Sequence, residues 1–142
     1  KKLQERYNNM NNLVVTGKRK TAIAKATIVE GNGTITFNKK PIASLPYLQQ
    51  LEISEPLVIA KDILSNLPFN IALNVKGGGT ASQVEAGRLA IAKSIIKFTK
   101  NEELKRAFLA YDRNMLVADT RRKEAYKPGD SKARSMRQTS FR

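Results

Sequence analysis

Three consecutive glycines, Gly77-Gly78-Gly79, stand directly before a run with helical periodicity and form the most enzyme-like string in the chain. Backbone amides of a glycine-rich turn, with the N-terminus of the helix behind it, can cradle a phosphate. The Gly-Lys-Ser/Thr ending and the spacing of a nucleotide-binding loop are missing, so the string reads equally as a tight strand-to-helix turn with close backbone packing. Glu85, Glu102, Glu103 and Asp112 are scattered over exposed helical positions, where carboxylates are solvated or locally ion-paired. Lys61 and Asp62 read the same way. The chain has no His and no Cys. That removes imidazole and thiolate ligands, disulfides and the commonest general base. No metal site, no cofactor and no enzymatic activity are expected.

The cations carry more information. The chain holds 26 Lys and Arg against 12 Asp and Glu, a formal net charge of +14 over 142 residues. Residues 121–142 contain no Ile, Leu or Val but eight cations, Arg121, Arg122, Lys123, Lys127, Lys132, Arg134, Arg137 and Arg142, opposed only by Glu124 and Asp130. A segment of this kind cannot bury enough apolar surface to offset its ordering entropy, and it needs an anionic partner. Tyr126, Met136 and Phe141 are interleaved with the charge, which suits RNA, with its exposed bases and its phosphates. Lys18, Arg19, Lys20 and Lys25 cluster about the first strand. Lys93, Lys97 and Lys100 stripe one face of the longest helix, either as a solvated face or as phosphate contacts. Arg88 falls inside that helix's apolar arc, where it either snorkels from the core edge or meets a fixed anion.

The elements that must position these groups follow from periodicity. Residues 13–16 and 22–30 read as strands. Gly31-Asn32-Gly33 predicts a turn into a strand over 34–38 that forms a hairpin with the strand before it. Ser54-Glu55-Pro56 predicts a helix start and Pro68 its close. Residues 70–76 alternate as a strand, with Ile71, Leu73 and Val75 on one face and Ala72, Asn74 and Lys76 on the other. A long helix is expected over 81–99, capped by Thr80 or Ser82, with Val84, Ile91, Ile95 and Phe98 as its apolar stripe. A shorter helix over 101–111 and a last strand over 115–118 complete the set. The order predicts an α+β two-layer domain, a small mixed sheet with helices on one face. Residues 1–12 form an N-terminal extension, 13–120 the globular domain and 121–142 an extended basic tail. No apolar run approaches the ~20 residues of a membrane span, and a cytoplasmic protein is expected.

Several strings, taken in order, resemble one family. Val15-Thr16-Gly17-Lys18-Arg19-Lys20-Thr21-Ala22 resembles the opening strand of small-subunit ribosomal protein nine. Glu55-Pro56-Leu57 and Val75-Lys76-Gly77-Gly78-Gly79 continue it, and Gln83, Arg88, Ile91, Ala92 and Lys93 match the family's long helix. Tyr111-Asp112-Arg113, Met115-Leu116-Val117, Asp119, Arg121 and Arg122 resemble the approach to the tail. Gln138-Thr139-Ser140-Phe141-Arg142 resembles its closing motif, in the archaeal and eukaryotic form. The chain departs from the family's habit at Thr120, Pro128-Gly129-Asp130-Ser131, Thr139 and Ala81-Ser82.

The resemblance implies a structural RNA-binding protein in the head of the small ribosomal subunit, with a left-handed βαβ crossover. It implies rRNA contacts from Lys18, Arg19, Lys20, Lys25, Arg88, Lys93, Lys97, Arg113, Arg121, Arg122, Lys123, Lys127, Lys132, Arg134 and Arg137. It implies contact of Ser140, Phe141 and Arg142 with P-site tRNA, neighbouring head proteins as partners, and no membrane. Two other readings stand beside it: a free RNA-binding module with a basic tail, and a phosphotransfer enzyme built on the triglycine turn.

Overall fold

The structure, a computed structural model, describes residues 12–125. Strands β1 (Leu13–Arg19), β2 (Ala22–Glu30), β3 (Ile35–Phe37), β4 (Lys40–Pro41) and β5 (Phe69–Lys76) form one mixed sheet in the order β1-β2-β5-β3-β4. Helices α1 (Tyr47–Leu64), α2 (Thr80–Thr99) and α3 (Glu102–Tyr111) make the second layer. Alternation decides which side they cover. Val15, Ala22, Ala24, Ala26, Ile28, Ile71, Leu73 and Val75 are all buried, while their neighbours along each strand face away. Such a sheet is apolar on one face only, and packing that face on helices gives the expected two-layer α+β domain.

The expected hairpin between residues 22–30 and 34–38 does not form. The turn at residues 31–33 does reverse the chain, but β5 pairs with β2 along eight positions, from Ile23↔Lys76 to Glu30↔Phe69, and so separates β2 from β3. The turn is stitched to β5 instead: Asn70 Oδ1 accepts from the amides of Asn32 (3.0 Å) and Thr34 (2.9 Å). The hairpin partner of β2 is β1, antiparallel from Leu13↔Ile28 to Arg19↔Ala22. β3 pairs parallel with β5, and α1 is the crossover between them. Asn38 prolongs that ladder past the end of β3, its Oδ1 accepting from Val75 N at 2.7 Å.

Helix α1 starts two turns before the expected Ser54. Its N-cap is Pro46, and Gln50 Nε2 donates back to the carbonyl of Leu45 at 2.6 Å. Ser54 lies inside the helix, donating to the Gln50 carbonyl (2.7 Å), and Pro56 is buried mid-helix. A buried proline is tolerated there at the loss of one i→i−4 bond. The helix ends at Ser65, which takes a left-handed φ of 59°, before Pro68 is reached. For α2 the cap is the backbone of Gly79, not the side chain of Thr80 or Ser82. Asn101 caps α3 through its side chain, accepting from Glu103 N (2.8 Å) and Leu104 N (3.4 Å), with Glu102 and Glu103 at the positive end of the helix dipole.

The strand expected over 115–118 is replaced by a 3-10 turn, Arg113–Met115. Asp112 accepts from Asn114 N (2.8 Å) and winds the chain, so that Met115 drops into the core, fully buried.

Helix α2 sits unusually close to the β1–β2 hairpin because small residues face each other there. A Cβ on Gly17 would lie 2.3 Å from the Ala86 carbonyl oxygen and 2.8 Å from Ala90 N, both on the helix backbone. Neither backbone can yield without moving a whole element. Gly17→Ala should therefore cost about 1–3 kcal/mol, in the range of core overpacking. Gly79→Ala, which meets nothing within 4 Å, should be close to neutral. Urea unfolding of the two variants checks this ranking.

Candidate nucleic-acid interface

Among the described residues nothing covers the sheet face turned away from the helices, and its composition is one-sided. In register across β1, β2 and β5 it carries the rows Lys18–Ile23–Lys76, Thr16–Lys25–Asn74 and Val14–Thr27–Ala72, the last continued by Thr36 of β3. None of these residues is a carboxylate. With strands about 4.8 Å apart, Lys18, Lys25 and Lys76 occupy one small field, all exposed. Lys20, in the tight turn after β1 with a φ of 50°, stands at its rim.

β1 is an edge strand, so the face continues around it. Val14 and Thr16 also line a groove of about 400 Å³ whose other wall holds Lys93 and Lys97 of α2 and Lys105 of α3. The result is a basic belt running from the open sheet face over the β1 edge to the helices. A flat face of lysines, threonines and asparagines suits sugar-phosphate contact, which positions a partner without reading its sequence.

The arginines behave differently. Arg19, at the end of β1, donates to Glu85 of α2 and to Asp119. Arg88 of α2 lies 2.6 Å from Glu55 of α1, a close ionic contact without an aligned N–H, and 3.1 Å from Asp112. Arg88 thus meets fixed anions, one of the two alternatives for a charge in an apolar arc. Both side chains are only about a fifth exposed (18% and 20%) and sit in a cleft lined by Glu52, Glu55, Glu85, Asp112 and Asp119 together with Arg121. These two groups join β1, α1, α2 and the chain after α3, and their charge is already met.

Asp119 anchors the start of the tail. It accepts from the Arg121 amide (2.8 Å) and from Arg121 Nη2 (2.6 Å), besides Arg19. The Arg121 guanidinium and amide, together with Arg19, hold the Asp119 carboxyl well below the usual carboxylate range. The same contacts raise Arg19, chiefly through Asp119 and then Glu85, and raise Arg121 through Asp119. Arg121 is 82% exposed, so solvent screens its pair, whereas the half-buried Arg19–Asp119 pair is better shielded.

The remaining expected residues divide by place. Arg113 is exposed at the start of the 3-10 turn, and Arg122 is exposed with Nη1 on the Asp119 carbonyl at 3.3 Å. Lys100, exposed, ends α2 in a left-handed conformation. Lys123 falls in the last described stretch. Lys127, Lys132, Arg134, Arg137, Ser140, Phe141 and Arg142 lie outside the described residues, as do residues 1–11. Lys76 and Lys105 join the belt without having been singled out. Alternation puts Lys76 on the outer face of its strand, but its place beside Lys18, like that of Lys105 beside the groove, comes only from the fold.

The triglycine turn is explained by packing. Gly77 and Gly78 have φ of 74° and 70°, and a Cβ on either would press on the backbone of Thr21 or on Ala22. Gln83 ties the turn, donating to the Gly77 carbonyl at 3.1 Å. Among the described residues no group of His, Cys, Asp or Glu is arranged to hold a metal ion, and no helix is long and apolar enough to cross a membrane.

The pattern of one protein family, described as Ribosomal protein S9/S16, matches residues 17–142. Small ribosomal subunit protein uS9 of Methanococcus vannielii is 47% identical over 129 residues, covering 89% of this chain and 95% of its own. The uS9 of a Methanococcus maripaludis strain is also 47% identical over the same length and coverage.

Asp119 sets a pH dependence whose sign is fixed. A carboxyl with a folded-state pKa below its unfolded value contributes stability that is complete above the unfolded value, about 3.9, and that fades as acid titrates the folded group. Asp119→Asn should therefore be less stable than wild type by a constant margin between about pH 5 and pH 8. The margin should shrink once the pH falls below about 4. Urea unfolding of both proteins across that range measures it.

Proposed function

The chain belongs to the ribosomal protein S9 family, in its archaeal and eukaryotic form, and from that membership we propose how its cations are used. It is a structural constituent of the small subunit of the cytoplasmic ribosome, not an enzyme. In our reading the globular domain, residues 13–120, docks on small-subunit rRNA in the head of the subunit through the open sheet face and the β1 edge. The observation that carries this is the carboxylate-free field of Lys18, Lys25 and Lys76, continuous with Lys93, Lys97 and Lys105. Lys20 extends it at the rim, and Arg113, exposed on the 3-10 turn after α3, adds a separate contact. Arg19 and Arg88 act indirectly: they fix β1 and the start of the tail so that the lysines are presented together.

The tail, residues 121–142, supplies the second contact. Arg121, Arg122, Lys123, Lys127, Lys132, Arg134 and Arg137 neutralise rRNA phosphates along its length. Ser140, Phe141 and Arg142 reach the P-site tRNA, where Arg142 pairs with a backbone phosphate through its fork of donors and Phe141 stacks on a base or sugar. Fully extended, 22 residues span roughly 70 Å at about 3.3 Å each, enough to connect a docking site to a distant functional centre. Support for this half is the density of charge and the closing motif.

Two measurements test the halves separately. Replacing Lys18, Lys25 and Lys76 together by Ala should weaken binding to rRNA and lower the slope of log affinity against log salt by about 2, at roughly 0.7–0.9 per phosphate contact. An unchanged slope removes the sheet face from the interface. Deleting residues 140–142 should leave incorporation into subunits intact and speed tRNA dissociation from the P site. Unchanged dissociation removes the tRNA contact.

A further inference from the structure

The outer face of α1 has the opposite character from the basic belt. Residues 41–68 contain a single cation, Lys61, against Glu52, Glu55 and Asp62, in a chain that elsewhere carries 25 more Lys and Arg. At 3.6 residues per turn, Tyr47, Leu51, Val58 and Asp62 fall within an arc of about 60°, with Leu48 beside them. Tyr47 is 71% exposed, Leu48 72%, Leu51 48% and Val58 56%, four of the large apolar side chains that the fold leaves in water. The buried side of the same helix, Ile53, Pro56 and Ala60, points the other way, so the exposed stripe is not a core face left ajar. Single exposed leucines need no explanation, but several large apolar side chains grouped on one helix face and edged by charge mark an interaction surface.

The chemistry selects the occupant. Aliphatic side chains flanked by Glu52 and Asp62 repel phosphates and offer them no cation, which argues against RNA. A second copy of this chain would bring the same acidic stripe against itself. We propose that the outer face of α1 docks a basic segment of another small-subunit protein, whose apolar side chains cover Leu48, Leu51 and Val58 and whose Lys or Arg meet Glu52 and Asp62. This rests on the ribosomal reading above and adds a polarity to it. The molecule presents lysines to RNA across the open sheet and β1 edge, and an acidic apolar helix to protein on the helical layer.

The test places a photo-cross-linking amino acid at Leu51, and separately at Val58, in the full-length protein expressed in its own cells. Small subunits are purified through a high-salt gradient, irradiated, and the adducts sequenced. The same residue at Ile23, on the open sheet face, serves as the RNA control. The inference predicts one protein adduct at 51 and 58, mapped to a net-basic segment of a single subunit protein. It also predicts a several-fold loss of that adduct when Asp62→Lys is added, with incorporation unchanged. An adduct to RNA, to this chain's own tail, to a second copy or to an acidic segment overturns it, as does no adduct or an adduct insensitive to the charge change. Absence of the protein from subunits would instead overturn the ribosomal reading, so the two failures are distinguishable.

Discussion

Repulsion among 26 cations with only 12 carboxylates to meet them is the constraint on which this structure depends. A chain with such an excess is destabilised by its own field when it compacts. The fold answers by concentrating its carboxylates. Glu55, Glu85, Asp112 and Asp119 are drawn from four places in the chain to two guanidiniums, Arg19 and Arg88, at the junction of β1, α1, α2 and the start of the tail. Arginine suits that position because its planar fork can face two carboxylates at once and loses its hydration more readily than an ammonium. Lysines, whose compact charge stays solvated, populate the open sheet face and the β1 edge. Internal arginines tie elements together, and external lysines remain available to an outside polyanion.

The close seating of α2 on the hairpin lets this division work. Ala22, Ala24 and Ala26 of β2, Gly17 of β1 and Ala86 and Ala90 of α2 bring helix and sheet nearly into backbone contact. Short reach from α2 to β1 is what allows Glu85 to meet Arg19. The one-sided sheet follows from the same choice. Small apolar residues on the inner face bury fully, while the outer positions, Thr16, Lys18, Lys25, Asn74 and Lys76, are free to serve a partner.

Elements with a strong local signature were legible in the sequence. The alternation of residues 71–76, the apolar stripe of α2 and the short helix expected over 101–111 each state their structure within one or two turns of chain. What failed was non-local or locally misleading. Gly31-Asn32-Gly33 is a genuine turn, but no turn residue encodes that β5 will insert beside β2. Ser54-Glu55-Pro56 has the chemistry of a helix start, yet tertiary burial of Pro56 and the backbone contacts of Gln50 carry α1 back to Tyr47. Residues 115–118 have strand-like composition, and the Asp112 cap winds them into a turn. The site divided in the same way. Lys18 and Lys25 were visible as a cluster about the first strand, and the α2 lysines as a separate stripe. That Lys76 completes the field, and that Arg19 and Arg88 face inward carboxylates, required the register of the sheet. The triglycine string was open to two readings, and only the nearness of Thr21 and Ala22 favours packing.

In the function proposed above, lysines on the open sheet and β1 edge, rather than the internal arginines, face RNA. The most direct measurement of that contact is amine acetylation of each lysine, read by mass spectrometry, in the free protein and in purified small subunits. Lys18, Lys25, Lys76, Lys93 and Lys97 should react readily in the free protein and be strongly protected in the subunit. Protection should be lost when the rRNA is digested. Equal reactivity of these lysines in both states would contradict it.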